Sequence, residues 1–313
     1  MIAKRDLPKQ FREWNAKWGA PYGRRLGCAK RLRKGLLGGR HLPIWIEARW
    51  RGPFGWQTNN SIRIFEYPWA YHVIRRQGST LRVLEVGGGL SGLQFVLAAE
   101  GHRVVNVEPG QDALGWKYES DLHKRLCRAF SAPVELFSKK IDSLDAPPHS
   151  FDVILSVSAL EHFSDADLAA LAHGIKRLLK PEGIVVMTID LFLDLKPFSE
   201  LGGNEWGRNL DVREFLSTAG LRLGDGNPAE LLGFPEFNAS RVMGCLATYL
   251  VGDCYPALSQ CVVARHNHRD RDVMGDRKVS CQRVQDREPG WNRQGISLRE
   301  VHPSVVQGGF REV

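Results

Sequence analysis

Between residues 81 and 189, short runs rich in β-branched residues alternate with stretches of helical periodicity, and this alternation constrains the fold more than any other feature. Repeated strand, crossover helix and strand specify an α/β domain built on a parallel sheet. LRVLEV reads as the first strand, SGLQFVLAAEG as the first helix and RVVNVE as the second strand. DALGWKYESDLHKRLCRAF places Leu114, Tyr118, Leu122 and Leu126 on one helical face, and PVELF follows as a third strand. FDVILSVSAL comes after the turn-forming APPHS, and its near-continuous apolar run suits a strand buried on both faces. The next helix, SDADLAALAHGIKRLLK, takes Ser164 or Asp165 as its N-cap and is expected to end at Pro181, with GIVVMTID as the fifth strand. Asp211 and Glu214 form a capping box for NLDVREFLSTAGL, which Gly220 stops. Strands near residues 221–223 and 260–264 are expected to close the sheet around an insertion at 227–258 rich in Gly, Pro and aromatics.

The first strand breaks into LEVGGGLSG, which satisfies two nucleotide fingerprints. Gly87, Gly89 and Gly92 have the G-x-G-x-x-G spacing of a dinucleotide turn, while Glu85, Gly87 and Gly89 have the E-x-G-x-G spacing of an S-adenosylmethionine (SAM) site. Glu108, ending the second strand, suits the ribose hydroxyls of either ligand and decides nothing. Glu85 does discriminate. A carboxylate at an otherwise apolar strand end needs a cationic or hydrogen-bonding partner. The α-amino group of SAM can serve, whereas a pyrophosphate would be repelled. Asp142, in KIDSLD after the third strand, is placed to accept from an adenine amine.

Length and charge set the remaining bounds. A chain of 313 residues, 43% hydrophobic, buries one substantial core and leaves material for extensions. No apolar run approaches the roughly 18 to 20 residues of a membrane helix, and MIAKRDLPKQ lacks the apolar stretch of a secretory signal, so a soluble, cytoplasmic protein is expected. Six scattered cysteines, without a C-x-x-C pair or zinc-type spacing, read as free thiols, and no metal site is expected. The net charge of +8 is uneven: residues 1–51 carry 14 Lys and Arg against Asp6, Glu13 and Glu47. Such an arm can attract phosphates, or lie solvated and touch nothing. Residues beyond 264 are polar and aperiodic, and His266 and His268 there read as surface residues. The expected organisation is a basic extension at 1–60, a catalytic α/β domain at 61–265 and a flexible tail at 266–313.

In order and spacing, LEVGGGLSG, VEPG, KIDSLD, FDVILSVSALEHF and LLKPEGIVVMTID resemble the class I SAM-dependent methyltransferases, most closely the type 11 group of small-molecule and cofactor methyltransferases. The resemblance covers residues 78–192 well and thins beyond 220. It departs at Ser91, where the family often has a third glycine at alternate spacing. It implies a doubly wound, mostly parallel seven-stranded sheet with an N-terminal helical extension and an irregular C-terminal tail. It also implies that Glu85, Gly87, Gly88 and Gly89 hold the methionine part of SAM. By the same correspondence Glu108 and Pro109 meet the ribose and Asp142 the adenine, with Ser156 and Ser158 beside the sulfonium and the methyl acceptor. NNSIRIFEYPWAYHVIRR looks like the helix that lids the cofactor pocket, where Arg63 pairs with the SAM carboxylate; equally, Ile64, Tyr67 and Tyr71 have the spacing of core residues. His162 is a candidate general base, although the Glu-His pair in this family more often steadies the loop.

The expected activity is methyl transfer from SAM to a small-molecule O, N or C acceptor. The alternatives are an RNA methyltransferase using the basic arm, in which Trp14, Trp18, Trp45 and Trp50 stack bases or anchor the arm to the protein itself, a nicotinamide-dependent oxidoreductase, and a non-catalytic SAM-binding protein.

Overall fold

The computed structural model describes residues 2–24, 43–109 and 120–267. Cys28, Cys281, His268, residues 25–42 of the basic arm, Leu114, Tyr118 and the tail beyond 267 therefore lie outside the described residues.

Before the sheet come helices α1 (Lys9–Trp18), α2 (Ile44–Arg51) and α3 (Arg63–Arg75). The domain then runs β1 (Arg82–Val86), α4 (Gly92–Ala99), β2 (Arg103–Val107), α5 (Ser120–Phe130), β3 (Val134–Phe137), β4 (Phe151–Val157), α6 (Asp165–Leu178) and β5 (Leu179–Phe192). It closes with α7 (Val212–Thr218), β6 (Leu221–Asp225), α8 (Ala239–Gly244) and β7 (Ala257–His266). Seven strands form one sheet in the order β3-β2-β1-β4-β5-β7-β6. All neighbours are parallel except β7, which is antiparallel to both β5 and β6. The order reverses beside β1, so the C-terminal ends of β1 and β4 flank a topological switch point, where open α/β sheets bind ligands.

Burial explains the layers. Val83, Leu155 and Val186 point into a cluster covered by α1, α3, α4 and α5, while Leu84, Ile154 and Met187 point into a second cluster covered by α6 and α7. This alternation gives two buried faces to the central strands, the condition of a doubly wound sheet.

Two boundaries differ from expectation. Helix α6 stops at Leu178 and β5 starts at Leu179, four residues before the expected GIVVMTID. Pro181 disfavours helical geometry at Lys180, so the chain turns extended early, and Leu179 pairs with Phe151 across a register shift. His266, expected in the tail, is the last residue of β7 and pairs with Leu221.

The described part of the N-terminal extension packs on the domain. Ile2 bridges to Gln260 of β7, and Phe11 and Trp14 of α1 are buried. Trp14 lies 5.5 Å from the Phe54 ring and 5.1 Å from the Tyr71 ring, centroid to centroid. Trp18 packs partly buried against the same cluster, whereas Trp45 and Trp50 of α2 are exposed. Among the described residues Cys127, Cys245, Cys254 and Cys261 form no disulfide. Among the described residues no helix is long and apolar enough to cross a membrane.

Because Trp14 joins α1 to the main core, Trp14→Ala should cost the whole domain roughly 3 to 5 kcal/mol in one cooperative transition. Urea unfolding followed by far-UV circular dichroism checks this; an unchanged midpoint would show that α1 is not integral to the domain.

Candidate functional site

The turn after β1 is shaped by its glycines. Gly87 and Gly89 have φ of +70° and +51°, which side chains rarely tolerate. A Cβ on Gly92 would lie 2.5 Å from the Phe54 ring, so that glycine lets the extension press onto the start of α4. Ser91, the departure from the family pattern, is the N-cap of α4: its hydroxyl accepts from the Leu93 N–H at 3.1 Å. A third glycine would supply no such cap.

Glu85 sits beneath this turn. It is 1% exposed, and neither carboxylate oxygen has a hydrogen-bond partner. Burial pushes its carboxyl from 4.5 up to about 8; the nearby Ser91 hydroxyl offsets a little of that, and the Glu108 charge adds to it. Glu108 accepts from the Gly89 N–H at 3.0 Å, so the two carboxylates stand on either side of the turn. Behind it, Asn106 donates to the Gly89 carbonyl at 3.0 Å and to Gln94, which His123 meets in turn. In front, Gln57 of the extension accepts from the Leu90 N–H at 3.0 Å and donates to Tyr67, whose hydroxyl donates to Asn59. Asn59 reaches the Pro21 carbonyl at 2.6 Å. The extension is thus hydrogen-bonded to the glycine turn.

The other expected residues divide into three places. Ser156 is buried and donates to the Val86 carbonyl at 3.0 Å, which stitches β4 to β1. Asp142 lies exposed in a short 3₁₀ turn after β3, and Pro109 follows Glu108 at the edge of the described segment. Ser158, with φ of +40°, lies at the end of β4 in a buried polar cluster with Arg63. Its hydroxyl is 2.9 Å from Glu66 and 3.0 Å from Asp190. Arg63 also pairs with Glu66, and Tyr255 donates to Asp190 at 2.7 Å. One hydroxyl proton serves only one of the two carboxylates. A proton on the other completes the set, and burial does raise the Asp190 carboxyl to about 6 against the pull of Arg63.

His162 lies at the rim, its side chain 24% exposed and 3.9 Å from Glu161, too far for a hydrogen bond. Burial lowers its pKa, which favours neutral imidazole. Glu161 is fully buried with neither oxygen bonded to another residue, and burial together with Asp190 raises its carboxyl well above the ordinary range.

Four contributors were not singled out from sequence, Gln57, Glu66, Asp190 and Tyr255, while Glu161 was noted only as the neighbour of His162 in a loop-steadying pair. Asp190 carried a usable signal, because it ends the apolar GIVVMTID much as Glu85 ends LRVLEV. Glu66 is likewise a lone acid in the apolar α3. Gln57 and Tyr255 sit in loops and carry no local signal.

Residues 84–187 match the family model described as a methyltransferase domain. By this match about a third of the chain is similar to a methyltransferase domain. That match spans β1 to β5 and so contains the glycine turn, Glu108 and the end of β4. Among solved structures, a TehB-like SAM-dependent methyltransferase from Corynebacterium glutamicum is 14% identical, with 76% of this chain and 96% of that chain covered and a TM-score of 0.40. A SAM-dependent methyltransferase from Mesorhizobium loti is 16% identical, covering 64% and 97%, with a TM-score of 0.42. Magnesium protoporphyrin IX methyltransferase from Synechocystis PCC 6803, solved with bound SAM, is 12% identical, covering 76% and 95%, with a TM-score of 0.42. No curated protein matches the chain in sequence.

The strained charge of Glu85 gives a test of the geometry. Its carboxyl stays protonated up to about pH 8 when folded and ionises from 4.5 when unfolded, so folding takes up a proton between those values. Stability of the SAM-free protein should therefore fall as pH rises through that window. Denaturation at about pH 5 and about pH 8.5 should show Glu85→Gln gaining on the parent protein as pH rises. Parallel curves for the two proteins would mean that Glu85 is not buried as described.

Proposed function

We propose that the methyltransferase domain binds SAM at the glycine turn and transfers its methyl group to a small-molecule acceptor at the end of β4. The observation that carries the reading is Glu85: a buried carboxylate with two unbonded oxygens fits an ammonium group, and a pyrophosphate there would meet repulsion from Glu85 and Glu108 together. This disfavours a nicotinamide cofactor. When bound, SAM supplies a sulfonium methyl whose displacement needs no acid.

The residues of the chain have separable roles in this reading. Glu85 meets the ammonium as a carboxylate, and Gly87, Gly88 and Gly89 let the backbone approach the methionine part. Glu108 exchanges the Gly89 N–H for ribose hydroxyls, with Pro109 fixing the chain after it, and Asp142 accepts from the adenine. Arg63 exchanges part of its pairing with Glu66 for the SAM carboxylate. Ser156 acts at one remove, by holding β4 to β1. Ser158 and His162 face the acceptor, and His162, as a neutral imidazole, is competent to take a proton. Alignment and exclusion of water then supply most of the acceleration.

A small acceptor fits the enclosure. The Arg63 side chain is 12% exposed, and Ser158 and Tyr255 are buried, so only a slender group reaches the end of β4. The exposed Trp45 and Trp50 of α2, beside Arg49 and Arg51, are what would favour RNA. Steeply salt-dependent RNA binding lost on changing both tryptophans to Ala would support that second reading.

If Glu85 ionises on meeting the ammonium, SAM binding near neutral pH releases close to one proton. Calorimetry in buffers of different ionisation enthalpy measures this number. Glu85→Gln should abolish the release and weaken SAM binding by about tenfold or more. Equal proton release and equal affinity in the variant would overturn the assignment.

A further inference from the structure

The cluster beneath α3 holds more acids than its one cation can pair. Arg63 is the cation of the cluster, and three buried carboxylates act on one another around it: Glu66 of the same helix, Asp190 of β5 and Glu161 after β4. Glu66 pairs with Arg63 and accepts from Ser259; Asp190 accepts from Tyr255. Glu161 accepts from no other residue. The groups that face it are Arg63 and Glu66 from α3, Asp190 from β5, Tyr255 from the segment before β7 and the adjacent His162. Among the described residues, no group of three such side chains converges to hold a metal ion.

Glu161 is distinct from Glu85, the residue assigned to the SAM ammonium. The surroundings of Glu85 are set by Ser91 and Glu108, those of Glu161 by Asp190, Arg63 and Glu66. A single ammonium from SAM cannot answer both. For packing alone, an uncharged residue of similar volume would serve with less desolvation cost. A second cation arriving with the acceptor answers the excess.

Resting on the methyltransferase reading above, we propose that the acceptor is a small molecule bearing an amine, bound as its ammonium against Glu161 and Asp190 and methylated on nitrogen. The Glu161 carboxylate takes one N–H proton, which leaves the nitrogen lone pair free. That pair forms the N–C bond to the donor methyl as the C–S bond breaks, and the C–S electrons remain on sulfur. The products are the N-methylated ammonium, S-adenosylhomocysteine and a protonated Glu161, which returns its proton to solvent as the products leave. Protonated Glu161 then needs no counter-charge, so the product is held less tightly than the substrate.

The test uses the full-length protein, SAM labelled in its methyl group, and two matched sets of probes: benzylamine, benzyl alcohol and benzoate; tryptamine, tryptophol and indole acetate. In each set, methyl incorporation into the amine should exceed that into the alcohol and the carboxylate by at least about tenfold. Glu161→Gln should lower the amine rate by about tenfold or more and collapse the preference, with SAM affinity kept within about twofold. Should that variant not fold, Asp190→Asn carries the same expectations. A merely structural Glu161 would leave the amine-to-alcohol ratio unmoved in Glu161→Gln, and that result overturns the proposal. So does a parent protein that methylates no amine, or that favours the alcohol or the acid. If calorimetry shows no SAM binding by the parent, the methyltransferase reading itself fails; SAM binding without amine preference overturns only the amine inference.

Discussion

A carboxylate taken out of water without a partner is among the most costly things a fold can contain. This domain contains two, Glu85 and Glu161, at the C-terminal ends of β1 and β4, with Asp190 at the end of β5 as a third acid held partly neutral. The sheet forces them together. Parallel strands end at the same edge, and the chain leaves β1 and β4 on opposite sides of the switch point, so side chains at those ends face one crevice. The apolar faces below, Val83 and Leu155 on one side and Leu84 and Ile154 on the other, provide the burial that outweighs the cost of the charges.

The N-terminal extension covers that edge. Without it, Phe54 would not cover Gly92, Gln57 would not cap the Leu90 N–H, and Tyr67 would lose the Asn59 partner that reaches back to Pro21. Each link is individually modest, about 1 kcal/mol for a neutral hydrogen bond. Their combined effect is on exposure: they keep the Tyr67 hydroxyl wholly buried, which raises its pKa to about 12, and they keep water from Glu85. Composition marks this segment as basic, but its aromatic residues decide where it lies.

What was legible in the sequence follows from which signals are local. Strand and helix order came through because apolar periodicity is a short-range pattern, and the capping residues Ser164 and Asp211 came through because a cap acts within three residues. Glu85 and Glu108 were legible because a charge closes an apolar strand. Asp190 bears the same mark at the end of GIVVMTID, but its partners Tyr255 and Ser158 lie elsewhere in the chain. Beyond the pairing of Glu66 with Arg63 on the same helix, Glu66 and Tyr255 gain their place through contacts 65 or more residues away in sequence, Tyr255 with Asp190 and Glu66 with Ser158, and no window of local pattern contains those pairs. The early start of β5 was hidden for a different reason: Pro181 reads as a helix stop, while the pairing of Leu179 with Phe151 depends on a neighbouring strand.

The two serines at the end of β4 show how strand parity divides structure from chemistry. Ser156 and Ser158 are two residues apart, so an unbroken strand would send both to the same face. Ser156 is still within β4 and spends its hydroxyl on the Val86 carbonyl. Ser158 has left the strand with φ of +40°, held by N–H bonds to the Thr188 carbonyl and hydroxyl, and its side chain swings into the carboxylate cluster. A non-glycine residue in that conformation persists only where surrounding contacts over-determine it. Here those contacts are Arg63, Glu66 and Asp190, two acids around one cation. Strain and surplus acid thus meet at one hydroxyl, which is where the proposed acceptor ammonium would compete with Ser158 for the carboxylates.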